Sequence, residues 1–390
     1  MLTLSALTFA FVRMLSSTCM PVLFKEISDD LGLDLVQIGA VWGILVLGSV
    51  FVMPLGGWIC DRLGIRRTLI LVSILAGIAG ALRGLSVDFI SLMGTAFLWG
   101  LVSSVAIPAT TKGASISVST KQQGMAQGLV GAGGGIGAIL GPMISASVLS
   151  PWLGGWRSVL YLYGAISVII GLFWLYPVTE SERGKAGETM TTVPIRQAFS
   201  HLWHVRDIRK LCFTQFTYVA STMGMTGFLP LYLRGNGWLA TAADGTLALF
   251  SGIATLATIP LTMLSDKLGS RKLLIFISFL LSMVTIGLLS VIHNDLVWLL
   301  VAISGIFAAL TPSLITAMVI ETREVGPALS ATAVGLVVGI SNMGWVISPP
   351  IGNSLANINF GLPFVFWAAL ALLGLVLTIF LKETGWRANK

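Results

Sequence analysis

Long stretches without a charged side chain recur from one end of this chain to the other. Residues 2 to 24 carry only Arg13, and 35 to 58, 68 to 82, 89 to 111, 123 to 149 and 158 to 176 carry none. The pattern resumes at 211 to 233, 245 to 264, 273 to 292, 296 to 320 and 327 to 381, the last divided by Asn353, Asn357, Asn359 and Gly361. A helix crossing a hydrocarbon layer of about 30 Å needs about 20 apolar residues, and it pairs internally the backbone groups that lipid would leave bare. Twelve such segments predict an all-α membrane protein of twelve transmembrane helices. Composition agrees, with 55% hydrophobic and 10% charged residues over 390 positions, whereas about a quarter of a soluble chain is charged.

The net charge of +7 is explained by where the charges lie. Of the 23 basic residues, only Lys25, Arg83, Arg157 and Arg234 fall on the outer side when both termini are placed in the cytoplasm, and Arg13 lies within the first span. The excess of lysine and arginine on cytoplasmic segments sets this orientation in a cytoplasmic (inner) membrane. It excludes a nucleic-acid footprint, so the lipid bilayer is the expected macroscopic partner, with the chain a monomer. Cys19 and Cys212 lie in spans and Cys60 at a cytoplasmic helix end, which implies no disulfide framework. The first segment has no basic leader and carries a mid-span arginine, so it is expected to be a retained helix.

The chain repeats itself. Asp61-Arg62-Leu63-Gly64-Ile65-Arg66-Arg67 returns as Asp266-Lys267-Leu268-Gly269-Ser270-Arg271-Lys272, about 205 residues later. Pro108 and Pro312, and Pro142 and Pro349, share nearly the same offset. Duplicated halves are a known transporter architecture. The expected division is a six-helix bundle over 1–179, a cytoplasmic linker over 180–210 and a second six-helix bundle over 211–390.

The segment Gly57-Trp58-Ile59-Cys60-Asp61-Arg62-Leu63-Gly64-Ile65-Arg66-Arg67, between the second and third helices, resembles the signature loop of the major facilitator superfamily of secondary transporters. Ile65 departs from the basic residue often found there. The resemblance spans the chain and implies two pseudo-symmetric bundles that alternate access to a midplane site. It further implies that Gly57, Asp61, Arg62, Gly64, Arg66, Arg67, Asp266 and Arg271 form a conformational latch. A carboxylate at Asp61 near a helix end can take hydrogen bonds from a neighbouring helix N-terminus and pair with arginines. A tight basic turn serving topology alone is the alternative.

Arg13 is the most informative single residue. It lies about eleven residues from either end of its span, too deep to reach an interface, and an unpaired cation there costs a few kcal/mol or more. All 16 acidic residues fall in loops or at helix ends. The candidate partners are therefore carbonyls, hydroxyls, water or an anionic substrate, and a guanidinium matches carboxylate oxygens especially well. Val12-Arg13 followed by Pro21-Val22-Leu23, and Pro108-Ala109-Thr110-Thr111-Lys112, resemble the organophosphate antiporters and organic anion:cation symporters. In those groups the arginine faces the central cavity. The seventh helix lacks the second arginine of the phosphate-ester carriers, which points to a monovalent or sugar-acid carboxylate in place of a doubly charged phosphate ester.

Further candidates for substrate binding are Lys112, which is equally a positive-inside anchor, and Gln215, Tyr218 and Ser221 with Thr222 on one face of the seventh helix. Asn342 and Trp345 share a face of the eleventh. Each could instead bond a neighbouring helix. Arg83 is expected to snorkel outward. The glycines from Gly128 to Gly141 are expected to let helix backbones approach closely. The three histidines, His201, His204 and His293, lie in linker or loop with no ligand set, so no metal, cofactor or enzymatic chemistry is expected. The expected activity is secondary active transport of a small organic anion, ion-coupled uptake with a proton or sodium, Glu321 being the nearest candidate for the coupling group. Export of amphipathic compounds, or a non-transporting sensor on the same fold, are the alternatives.

Overall fold

Uncharged runs become helices here because nothing else satisfies the backbone in lipid. The computed structural model describes residues 1–119, 122–176, 195–308, 310–322 and 324–384, with side chains described except at 53–55, 57, 58, 61, 195–198, 266, 327, 328 and 331. Among these the fold is all-α. Among the described residues ten helices are long and apolar enough to cross a membrane, or eleven when the pair Leu2–Thr18 and Met20–Leu31, bent by 43°, is counted as one span. The helix Arg206–Gly235 has 30 residues, ample length to span. Its polar Thr214, Gln215, Thr217, Tyr218, Ser221 and Thr222 set it apart from the others.

Helix ends follow the sequence. Asp34 caps Leu35–Leu63 by accepting from the Gln37 amide (2.7 Å) while the Gln37 side chain accepts from the Asp34 amide (3.0 Å), a reciprocal capping box. Asp88 and Ser91 form another ahead of Phe89–Ser103. Gly64 (φ 79°) and Gly269 (φ 62°) take the left-handed backbone at equivalent turns of the repeated loop, where a side chain would be strained.

The contacts sort the chain into two compact units, Met1–Gly187 with Phe228–Gly252, and Glu188–Gly227 with Ile253–Lys390. In the first, the glycine-rich helix Gln123–Ile144 lies against the first helix. A Cβ at Gly133 would stand 2.6 Å from the Ala6 carbonyl oxygen, and Gly137 and Gly141 press still more closely on Ala10 and Thr18. In the second, Gly352 accommodates the Trp367 ring, and Gly344 the Phe216 carbonyl.

Each copy of the repeated loop is tied to the end of a later helix of its own unit. Arg66 donates to the carbonyls of Trp174 (2.9 Å), Leu175 (2.5 Å) and Tyr176 (3.0 Å), beyond the helix Trp156–Phe173. In the second copy Lys272, which answers Arg67 in the repeat, does the equivalent work, donating to the Ile379 carbonyl (2.6 Å) at the end of Leu362–Ile379. Cations at a helix C-terminus satisfy carbonyls that have no partner within the helix. Along Ile65–Leu82, Leu71, Leu75 and Ile78 form an exposed apolar stripe at helical spacing, a surface fit for lipid.

Candidate functional site

Arg13 sits in a π-helical stretch, Thr8–Leu15, within the first helix. Such widened turns concentrate at functional sites. The wide turn also shows in Ser16, whose hydroxyl donates five residues back to the Phe11 carbonyl (3.1 Å). Arg13 is only 4% exposed. Its guanidinium carbon lies 5.2 Å from the centre of the Trp99 ring, close enough for a cation–π attraction. Its Nε and Nη1 are buried and have no hydrogen-bond partner among the described residues.

Arg83 shares that ring, and its placement corrects the expectation of an outward snorkel. It is 0% exposed, with its guanidinium carbon 4.5 Å from the centre of Trp99. Nη1 donates to the Ser16 carbonyl (3.1 Å) and Nε to the Gly80 carbonyl (3.3 Å), while Nη2 is buried and unpaired. The turn that aims it inward is held from the helix Trp156–Phe173. Tyr161 donates to the Gly84 carbonyl (2.9 Å) and Arg157 to the Ser86 carbonyl (2.9 Å). Inward-facing carbonyls and an aromatic face outweigh a path to the headgroups.

The described carboxylates of this unit are engaged elsewhere. Glu26 accepts from Ser150, Asp29 pairs with Lys25 at 2.6 Å, and Asp244 with Arg234 at 2.5 Å. Asp30 pairs with Arg157 and accepts from the Trp156 indole (3.1 Å). Asp34 and Asp88 serve as caps.

Of the other sequence candidates, Lys112 is half-buried in the first unit and has an interaction partner. In the second unit Gln215 is 6% exposed, with Oε1 buried and unpaired. Tyr218 donates to the Phe307 carbonyl (3.0 Å) and packs edge-on to Phe279 in the unit's core. Ser221 donates to the Trp367 carbonyl (2.7 Å). Both polar groups thus bond neighbouring helices. Asn342 and Trp345 are half-buried and engaged.

The side chains of Gly57, Asp61 and Asp266 lie outside the described residues. Arg62 and Arg67 are exposed. In the second copy, Arg271 grips Glu321 through Nε (2.9 Å) and Nη2 (2.7 Å), so the expected coupling candidate stands in an ion pair that Thr384 joins at 2.7 Å. Glu383 accepts from the Ser270 hydroxyl (2.8 Å) and from the amides of Arg271 (2.9 Å) and Lys272 (3.1 Å). It caps the helix Arg271–Leu288 from a distant part of the chain. Asp207 pairs with Lys210 (3.2 Å) and Lys382 (3.0 Å). No group of metal-ligating side chains occurs among the described residues.

Sequence reasoning missed Trp99 as the aromatic platform and Arg83 as an inward cation. An apolar span containing Trp99 gives no sign of either contact.

A family model described as the Major Facilitator Superfamily matches residues 6–322 and 236–390. Among curated relatives, the chain is 27% identical over 345 residues to a multidrug resistance protein, MdtG, of Klebsiella pneumoniae (strain 342), covering 86% of this chain and 81% of that one. It is 22% identical over 406 residues to a probable sulfoacetate transporter of Cupriavidus necator, covering 95% and 91%. To the 3-(3-hydroxy-phenyl)propionate transporter of Escherichia coli (strain K12) it is 26% identical, covering 86% and 81%. Among solved structures, a bacterial homolog of the human lysosomal transporter Spinster superposes with a TM-score of 0.78 at 16% identity, covering 97% and 95%. The nucleoside transporter NupG does so with a TM-score of 0.78 at 17%, covering 97% and 98%. At such identities the structures speak for the fold alone.

Proposed function

We propose that this chain, which belongs to the Major Facilitator Superfamily, is a secondary active transporter that carries a small organic anion, a carboxylate or sugar acid, across the cytoplasmic membrane by alternating access. The single observation that carries the proposal is Arg13, a buried cation whose Nε and Nη1 have no acceptor among the described residues. A cation left so within a membrane span is costly. A carboxylate supplies both the charge and the acceptor oxygens a guanidinium is shaped for. The names of two relatives, transporters of sulfoacetate and of hydroxyphenylpropionate, support an organic anion.

Within the second unit Gln215 is the leading candidate for contact with a polar solute, its Oε1 being buried and unpaired. Lys112, Asn342 and Trp345 are secondary candidates, and the polar groups of Tyr218 and Ser221 are taken up by the carbonyls they bond within their own unit. Uptake is coupled to a proton or sodium gradient, both termini face the cytoplasm, and the working unit is a monomer. Asp61, with the arginines around it, latches one conformation, so Asp61→Asn slows turnover more than it weakens binding.

Export of amphipathic compounds is the second possibility, favoured by the likeness to multidrug resistance proteins. The test is flux in proteoliposomes holding the purified protein, with proton and sodium gradients imposed in turn. Saturable uptake of a carboxylate or sugar acid under one gradient supports the proposal. Extrusion of a cationic dye with no anion flux favours the second.

A further inference from the structure

Building on the anion transport proposed above, we infer that Arg83 is the second cation of the Arg13 site, and that the site takes a small dianion carrying two acidic groups on a short skeleton. Both guanidiniums are buried in one unit, 4% and 0% exposed. Both lie against Trp99, so their carbons cannot stand more than about 9.7 Å apart. Every described carboxylate of that unit has a partner other than these two arginines.

The two arginines differ in how they are held. Arg83 is fastened by the carbonyls of Ser16 and Gly80, whereas Nε and Nη1 of Arg13 have no acceptor. Arg83 therefore fixes a positive charge that Arg13 must share space with, and its own Nη2 remains an unpaired buried donor. Like charges this close repel strongly away from water. A monoanion would leave one buried positive charge uncompensated, while a dianion neutralises both. The seventh helix lacks the second arginine that a doubly charged solute calls for, and in this structure the third helix supplies it.

The test is calorimetric binding to the purified full-length protein at pH 7.5. Malonate, succinate and glutarate serve as dianion probes, and propionate, butyrate and valerate as monoanions of matched skeleton. The parent is expected to favour the dianions by about tenfold or more, the equivalent of about 1.4 kcal/mol. Arg83→Gln brings that ratio close to one, and Arg83→Lys, which keeps the charge, retains most of it. A parent that prefers the monoanions, or an Arg83→Gln variant weakened equally toward both classes, overturns the inference and leaves anion transport standing. A parent that binds none of the six removes the anion reading and this inference together. Should Arg83→Gln fail to fold, the parent's selectivity and the Arg83→Lys ratio still decide.

Discussion

Gly133 and Ala6 meet main chain to main chain: a Cβ on Gly133 would stand 2.6 Å from the Ala6 carbonyl oxygen. Backbone cannot step aside as a flexible side chain does, so overpacking here should cost at least the usual ~1–3 kcal/mol. Gly133→Ala is expected to lower the melting temperature in detergent and to reduce transport. Gly131→Ala, where nothing lies within 4 Å, is expected to leave both unchanged. Equal behaviour of the two variants would refute the close approach.

Arg66 and Lys272 hold the carbonyls at the ends of the helices Trp156–Phe173 and Leu362–Ile379. Because Lys272, one position further along the second copy, does the same job with an ammonium, Arg66→Lys should keep most of the parent's stability. Arg66→Ala should lose about 0.5–2 kcal/mol through stranded carbonyls. Thermal unfolding of the three proteins side by side checks this, and Arg66→Ala melting at the parent's temperature would count against it.

Arg271 and Glu321 are partly exposed, at 16% and 32% of their side chains, so solvent screening limits the pair to about 1 kcal/mol or less. A double-mutant cycle with Arg271→Ala and Glu321→Ala should give a coupling energy in that range that shrinks with added salt. Loss of ion-coupled transport in Glu321→Gln with unchanged substrate binding would instead mark Glu321 as a coupling group.

Glu383 caps the helix Arg271–Leu288 in trans. Removing a capping acceptor costs about 0.5–2 kcal/mol, so Glu383→Ala should speed hydrogen exchange at the amides of Arg271 and Lys272. Exchange rates equal to the parent's would show that the cap does not operate.

The fold was readable because the length of an apolar run, the side on which lysine and arginine collect, and a repeated loop are all local properties. The glycines at 133, 137 and 141 were readable for the same reason, since helical spacing puts them on one stripe. Side-chain direction was not. An arginine at an outer helix end reads the same whether it turns to headgroups or, like Arg83, back to the Ser16 carbonyl. Spacing placed Tyr218 and Ser221 near one helix face but could not tell that Phe307 and Trp367 carbonyls wait beside them. Glu383 escaped notice because its partners are more than a hundred residues away.

Arg13 remains the residue on which the functional account turns. The direct measurement is saturable binding of organic anions by Arg13→Gln and Arg13→Lys, with thermal unfolding recorded on the same preparations. Lysine keeps the charge but loses the planar fork, so Arg13→Lys should bind more weakly and still fold. Arg13→Gln should show no saturable anion binding while melting at or above the parent's temperature, because a buried unpaired charge has been removed. An Arg13→Gln protein that binds and transports the anion as the parent does would contradict the account.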